Sequence, residues 1–132
     1  MSSTAWLILT IVGAVGSAAC LYGFYGDRKR GYPALKALDS QFELPDMRRS
    51  YSPEELFACF EKVGPEGQKL LCRLWRLDSV FALFLALVLA VVSHNLAAFR
   101  WLRWVMYGLA ALRSLLDLLE NALLWKVCAA YP

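Results

Sequence analysis

The chain has few of the residues that build metal and nucleophilic sites. It holds one histidine, His94, and four cysteines, none of which form a CxxC pair. Structural zinc sites need four cysteine or histidine ligands at short spacings, and this sequence has no such pattern. We therefore interpret His94 as a solvated or capping residue and expect no metal, no other cofactor and no enzymatic activity. A disulfide between Cys59 and Cys72 stays open, because it depends on an oxidising compartment.

Charge is missing from the first 26 residues and is concentrated in the middle of the chain. Eight of the eleven acids and ten of the fourteen basic residues lie between positions 27 and 77. Because acids accompany the basic residues and the net charge is only +3, no nucleic acid is expected as a partner. Hydrophobic residues make up 59% of the chain, against roughly 45–50% in soluble domains. The sequence therefore predicts an integral membrane protein.

Three stretches are long and apolar enough to be interpreted as transmembrane helices, since about 20 apolar residues cross the hydrocarbon core. The predicted spans are 5–25, 74–93 and 104–125. The third span carries several charged residues, so an amphipathic helix lying on the membrane surface is its alternative. The predicted fold class is all-α. A single membrane domain, 1–132, would hold about three transmembrane helices and a short extra-membrane helical hairpin.

The segment 26–73 is predicted to lie outside the membrane. Its first half, 26–50, contains several glycines and prolines and is interpreted mostly as loop. Ser52 and Glu55 then have the spacing of a helical capping box. Gly64, with a proline directly after it, is expected to end one helix and to precede the next. The two helices form the predicted hairpin, placed on the membrane surface or against a partner.

Small residues and basic residues mark the surfaces of the predicted spans. One face of the first span carries Gly13, Gly16, Ser17 and Cys20. Small residues let another helix approach closely, so this face is predicted to pack against a neighbour. The basic residues that flank the spans are Arg28, Lys29, Arg30, Arg73, Arg100 and Arg103. They are candidate ligands of anionic lipid headgroups such as cardiolipin, or determinants of topology, which place segment 26–73 in the cytoplasm or matrix.

Polar residues gather where the second and third spans are expected to meet. The set is Arg76, Asp78, Arg113, Asp117, Glu120 and Asn121. If the two helices fold back at a turn near Ala98, residue 78 comes level with residue 118. Asp78 is then predicted to lie near Asp117 and Asn121. This point is about 30 Å from the turn, so the cluster is expected near the membrane face of the charged middle segment.

Two interpretations of this cluster stay open. In the first, it is a structural clasp, with Arg113 paired to Asp117 one helical turn further on and Arg76 paired to Glu120. In the second, it is a proton relay, an ion site or a headgroup pocket, because ionisable residues inside a membrane are often functional. The clasp is preferred, because the stretch 80–92 offers no polar steps for a pathway.

Four strings occur in the order typical of a family of small uncharacterised multi-span membrane proteins, which the chain resembles. They are YSPEELF at 51–57, GPEG at 64–67, LDSVF at 77–81 and DLLEN at 117–121. The family pattern has a proline where this sequence has Ala82, and it has a fourth helix after the last string, which this sequence lacks. The resemblance implies a multi-span helical protein but no activity. A version without the last helix looks more like a recruited subunit than a free-standing enzyme.

The function expected from these observations is a structural accessory subunit of a multi-subunit membrane complex. Its partners would be other membrane subunits and bilayer lipids. A weaker likeness to accessory subunits of the respiratory chain or ATP synthase favours the mitochondrial inner membrane, with 26–73 on the matrix side. The alternative is a free-standing lipid-binding or lipid-modifying protein that uses the acid and asparagine cluster. A homo-oligomeric channel is disfavoured, because only one predicted span has a polar stripe.

Overall fold

The protein is all-helical, as predicted. The structure, a computed structural model, describes residues 2–47, 50–96 and 98–131. Across these ranges it contains helices and turns and no strand. The four α-helices are α1 (Ser3–Leu21), α2 (Tyr32–Leu38), α3 (Pro53–Leu96) and α4 (Arg100–Ala130). A π-helical turn, Tyr22–Gly26, extends α1, and a short 3-10 turn follows α2 at Pro45–Met47.

The long helix α3 lies between α1 and α4 and runs antiparallel to both. Along α1, Trp6 meets His94 and Gly16 meets Phe84, so residue numbers rise on one helix as they fall on the other. Along α4, the hydroxyl of Ser114 meets the carbonyl of Ala82. The predicted antiparallel register of the second and third spans is therefore confirmed.

Two helical segments are long and apolar enough to cross a bilayer by length and composition, Ser3–Gly26 and Pro53–Leu96. α4 has the length, but Arg113, Asp117 and Glu120 interrupt its apolar sequence. It nevertheless lies against α3 for most of its own length. The third span therefore remains a prediction that rests on this packing.

The predicted break at Gly64 is present, and the chain folds back there. Gly64 has φ 65° and ψ −174°, which only glycine adopts readily. Phe60, before the break, reaches Trp75, after it, with ring centroids 6.4 Å apart. In a straight helix these 15 residues would be separated by about 22 Å. The second arm of this hairpin is not a separate helix, because it continues without interruption into the apolar part of α3.

The charged middle segment holds most of the buried core. Leu35, Phe42 and Leu44 are buried in one hydrophobic cluster with residues of the hairpin and with Leu124 and Cys128 of α4. Segment 26–50, which was interpreted as mostly loop, contains one short helix that was not predicted, α2 at Tyr32–Leu38. Pro33 in its first turn is compatible with a helix, since the first turn leaves its N–H groups unbonded in any helix.

Candidate functional site: polar contacts between α3 and α4

Asp78 and Asn121 form the central polar contact of the helical layer. The Asn121 side-chain amide donates a hydrogen bond of 2.8 Å to Asp78 Oδ2, as the register predicted. Asn121 is only 4% exposed. Asp78 also lines a small cavity of about 100 Å³ beside Cys20 of α1, so its carboxyl group lies where all three long helices approach each other.

A second polar contact lies further along the same two helices. Ser114 is 5% exposed, and its hydroxyl donates to the backbone carbonyl of Ala82 at 3.3 Å. Ala82 is itself buried, and its small side chain lets α4 approach the backbone of α3. Ser114 was not singled out from the sequence. The available signal was its spacing of seven residues, two helical turns, from Asn121, which puts both side chains on the same face of α4.

The remaining polar residues of α4 lie beside this contact rather than in it. Arg113 Nη2 is 3.0 Å from Asp117 Oδ2, so the predicted pair one helical turn apart forms. The Arg113 and Asp117 side chains are 47% and 30% exposed, and Glu120 is exposed as well. The predicted cluster is thus divided into a buried amide–carboxylate contact and an exposed charged patch, which we define as Arg113, Asp117 and Glu120.

Arg76 does not pair with Glu120 among the described residues, contrary to the prediction. Its guanidinium carbon lies 5.2 Å from the centroid of the Trp125 ring, a cation–π contact. The reason is helical geometry: Arg76 and Asp78 are about 200° apart around α3. Arg76 therefore leaves α3 on the side opposite Asp78 and contacts Trp125 of α4.

The small-residue face of α1 packs on α3 of the same chain. An added Cβ at Gly13 would lie 2.8 Å from a methyl group of Val88, and one at Gly16 would lie 2.4 Å from the Phe84 ring. Ser17 is half-buried beside them, and Cys20 is buried near Asp78. The predicted neighbour is therefore α3 of the same chain, which covers Gly13 and Cys20 fully and Gly16 and Ser17 in part.

The basic residues predicted to bind headgroups fall into two groups. Arg28, Lys29 and Arg30 are exposed in the turn after α1, where Asp27 Oδ1 accepts the backbone N–H of residues 29 and 30 at 3.0 Å. Arg73 joins this turn from α3, with its guanidinium 3.7 Å from Asp27. Arg100 and Arg103 lie at the opposite end of the helical layer, at the start of α4.

Sequence reasoning missed an aromatic cluster at that opposite end. The His94 ring stacks on Trp6 at 4.0 Å between centroids, and its Nδ1 is 3.0 Å from the Tyr107 hydroxyl. Together with Arg100, Arg103 and Trp104 they line a groove of about 380 Å³. The interpretation of His94 as merely solvated or capping was wrong, because it contacts α1 and α4 from α3. No local spacing links these three residues, so the sequence held no signal for the contact.

Three of the four cysteines gather near the hairpin. None of the four forms a disulfide, so Cys59 and Cys72 are not covalently joined. Cys72 lies beside Cys128 of α4, whose thiol contacts the Gln68 carbonyl at 3.7 Å. Burial, with the side-chain hydrogen bond that the protonated thiol makes with Cys72, raises the pKa of the Cys128 thiol to about 12. No group of three or more histidine, cysteine or acidic residues has a metal-binding arrangement within the described ranges.

The fold and these contacts define a helical protein in which two apolar helices and one amphipathic helix pack antiparallel. The chain matches no known protein family, and no curated protein or solved structure is significantly similar to it. The likeness of its four strings to a family of multi-span membrane proteins therefore stays a prediction.

Proposed function

We propose that this protein is a non-catalytic accessory subunit that spans the membrane three times and binds a larger membrane complex through the outer face of α4. A single observation carries the proposal: the charged patch of Arg113, Asp117 and Glu120 is exposed on a helix whose outer face is otherwise leucine-rich. The exposed leucines of this face are Leu109, Leu112, Leu116, Leu119 and Leu123.

The depth of the charged patch makes lipid a poor neighbour for it. The Ser114–Ala82 contact puts Arg113 level with the apolar stretch 80–92 of α3. A charged residue costs about 2.5–3.5 kcal/mol at the centre of a bilayer on insertion scales, and less at the depth of this patch, which lies near the end of the apolar stretch. The Arg113–Asp117 pair and snorkelling reduce this cost without removing it, since both side chains stay partly exposed. A partner protein that covers the patch would remove this cost.

The chemistry of the patch indicates what such a partner would present. One arginine and two acids leave a net charge of −1. Among the described residues, neither Arg76 nor another basic side chain lies within ion-pair distance of Glu120. A partner transmembrane helix with a lysine, an arginine or a hydrogen-bond donor at this depth would complement the patch, with leucine and small residues on either side.

The membrane and the orientation belong to the same proposal. The nine basic residues of segment 26–73, against two at the turn before α4, favour the cytoplasmic or matrix side for this segment. We propose the mitochondrial inner membrane, in a respiratory or ATP-synthase assembly, with this segment in the matrix. Cell fractionation followed by protease protection of tags at the two termini tests both points.

The interface is tested by site-specific photo-crosslinking in the native membrane. Leu116 and Leu115 are adjacent, equally deep and 57% and 63% exposed, but they point about 100° apart. A photoreactive residue at 116, beside the charged patch, is expected to give one discrete cross-linked product. The same residue at 115 is the matched control and is expected to react with lipid.

Native gel electrophoresis after extraction in mild detergent completes the test. We expect the protein to migrate within a large assembly, and Glu120→Leu together with Asp117→Leu to release it, while Leu115→Ala, outside the proposed interface, leaves it bound. Migration as a monomer, with no product from position 116, contradicts the proposal. The acids would then become candidates for the alternative function, in which Asp117→Asn abolishes a lipid-directed activity without affecting assembly.

A further inference from the structure

A basic groove lies where the hairpin arm of α3 meets the C-terminal end of α4. Its volume is about 530 Å³, and its polar wall is formed by Lys69, Arg73 and Arg76. Trp125 and Tyr131 of the α4 end form the opposite wall. The groove lies on the opposite flank of α4 from the charged patch, so it does not depend on the proposed subunit interface.

The three cations of the basic groove share one face of α3. Residues 69, 73 and 76 are separated by four and three positions, which places them one above the other on a helix. Two of them have weak partners: Lys69 contacts Glu66 at 3.0 Å, with both side chains at least 75% exposed, and Arg73 contacts Asp27 at 3.7 Å. Arg76 contacts the Trp125 ring and no acid within ion-pair distance in the described ranges. Arg76 is therefore the cation of the groove that is most available to form an ion pair with a bound anion.

The same face of α3 becomes apolar one turn further on. Val80 and Leu83 follow Arg76 at helical spacing and are 45% and 56% exposed. On α4, Leu115 and Ala122 continue the Trp125 wall in the same direction and are also exposed. A cationic groove that runs into an exposed apolar strip matches an amphiphile with an anionic head and an acyl chain.

The depth of the cations also fits a lipid headgroup. At a rise of 1.5 Å per residue, Arg76 lies about 6 Å and Arg73 about 10 Å outside Val80, where the apolar stretch begins. The polar headgroup region extends about 5–8 Å beyond each side of the hydrocarbon core, so Arg76 lies within it and the long Arg73 side chain reaches it from just outside. Trp125 is at the same level, and tryptophan is enriched at membrane interfaces.

We propose that this groove binds one anionic phospholipid, with its phosphate on Arg76 and Arg73 and an acyl chain along Val80 and Leu83. The arginine guanidinium offers a planar fork of donors that matches phosphate oxygens. Lys69, at the outer end, meets the outer part of the headgroup. The ligand is thus a phosphodiester carried on a hydrophobic chain rather than a free phosphate.

Native mass spectrometry of the purified full chain in detergent tests the proposal. The fraction of protein that carries one phosphatidylglycerol molecule is measured against lipid concentration, with phosphatidylcholine as the neutral comparison. We expect phosphatidylglycerol to bind at least fivefold more tightly, and Arg76→Gln to weaken it about fivefold, the effect of one basic residue near an anionic surface. Lys69→Gln combined with Arg76→Gln should weaken it about 25-fold if the two effects add.

Lys126→Gln is the matched control, because it removes the same charge at the same depth from a side chain outside the groove. It should change binding by less than about twofold, the scale of a general charge effect. Equal loss in the Lys126 and Arg76 variants, or equal binding of the two lipids, overturns the proposal. Circular dichroism of each variant confirms that a loss of binding is not a loss of fold.

Two further measurements distinguish binding of a lipid from binding of a soluble anion. Glycerol 3-phosphate carries a phosphate group without the chain and is expected not to displace the lipid even in large excess. Leu83→Ala should weaken lipid binding about twofold to threefold through lost apolar contact, whereas Leu112→Ala, on another face of the protein, should not. Displacement by glycerol 3-phosphate at lipid-like concentrations, or no effect of Leu83→Ala, overturns the assignment of a phospholipid.

Discussion

On the α1 side of α3, glycines bring two helices into close contact, whereas on the α4 side buried polar groups hold them. Gly13 and Gly16 pack so closely against Val88 and Phe84 that an added Cβ would clash. Across the other side, Asn121 and Ser114 donate hydrogen bonds to α3. The two contacts are therefore expected to fail for different reasons, through added volume on one side and through lost hydrogen bonds on the other.

The difference also bears on where a partner can bind. Close packing on α3 covers most of the small-residue face of α1, so little of that surface is open to another chain. The hydrogen bonds on the α4 side use only one edge of its polar stripe, and Arg113, Asp117 and Glu120 stay exposed. Any charged interaction with a second protein is therefore expected on α4 rather than on α1.

The largest effect is expected from Asn121→Leu, on the α4 side. The change leaves the Asp78 carboxylate without its hydrogen-bond donor in a largely apolar site and should lower the free energy of unfolding by about 3 kcal/mol. Asp78→Asn keeps two amides that can pair and should cost only about 1 kcal/mol. Unfolding of the detergent-solubilised protein measures both. The exposed neighbour Ala122→Leu is the control, and an equal loss there would contradict a specific contact.

Gly16→Ala should give the next largest effect, on the α1 side. The new Cβ would lie 2.4 Å from the Phe84 ring, so the helices must separate. Overpacking of this kind costs about 2 kcal/mol. Gly108→Ala is the matched control in α4, where nothing lies within 4 Å of the new atom. It should stabilise the helix by about 0.5 kcal/mol, because alanine is the better helix former. Two variants of equal stability would exclude close packing at Gly16.

A pair of serine variants compares the two sides directly. Ser114→Ala removes a buried hydrogen bond to Ala82 and should cost about 1 kcal/mol. Ser17→Ala removes a hydroxyl oxygen that is buried without a hydrogen-bond partner among the described residues, so it should be neutral or slightly stabilising. The same unfolding measurement applies. A larger loss for Ser17→Ala than for Ser114→Ala would reverse the assignment of polar contacts to the α4 side.

The smallest effect is expected from pH, outside both helix contacts. The Lys62 ammonium, 2.8 Å away, holds the pKa of Asp39 below its ordinary value of 3.8. Because this pKa is lowered, the contribution of the pair to the free energy of unfolding is complete above pH 3.8. It is lost as the pH falls through the pKa of Asp39 in the folded state. Melting temperatures of wild type and Lys62→Met between about pH 5 and pH 3 test this. The variant should lose less stability on acidification, and identical curves would contradict the pair.

Much of the helical arrangement followed from local patterns. The capping box at Ser52 forms: the Ser52 backbone N–H donates to Glu55 Oε2 at 2.8 Å, and the Glu55 backbone N–H donates to Ser52 Oγ at 3.2 Å. The turn length fixed which residues of α3 and α4 are level, and this brought Asp78 to Asn121. α2 was missed, because its seven residues carry a proline and a nearby glycine, which also occur in loops. The Trp6–His94–Tyr107 cluster was missed, because it joins three helices far apart in the chain.

The sequence by itself determined the three long helices, the break at Gly64 and the antiparallel register, because helical period, glycine conformation and turn length are local properties. The rotation of each helix about its own axis was decided only by tertiary packing. The polar residues of α4 occupy an arc of about 100°, and periodicity alone does not say which edge of that arc points inward. Close contact at Ala82 turned Ser114 and Asn121 towards α3. That rotation left Arg113 and Glu120 exposed and placed Arg76 on Trp125.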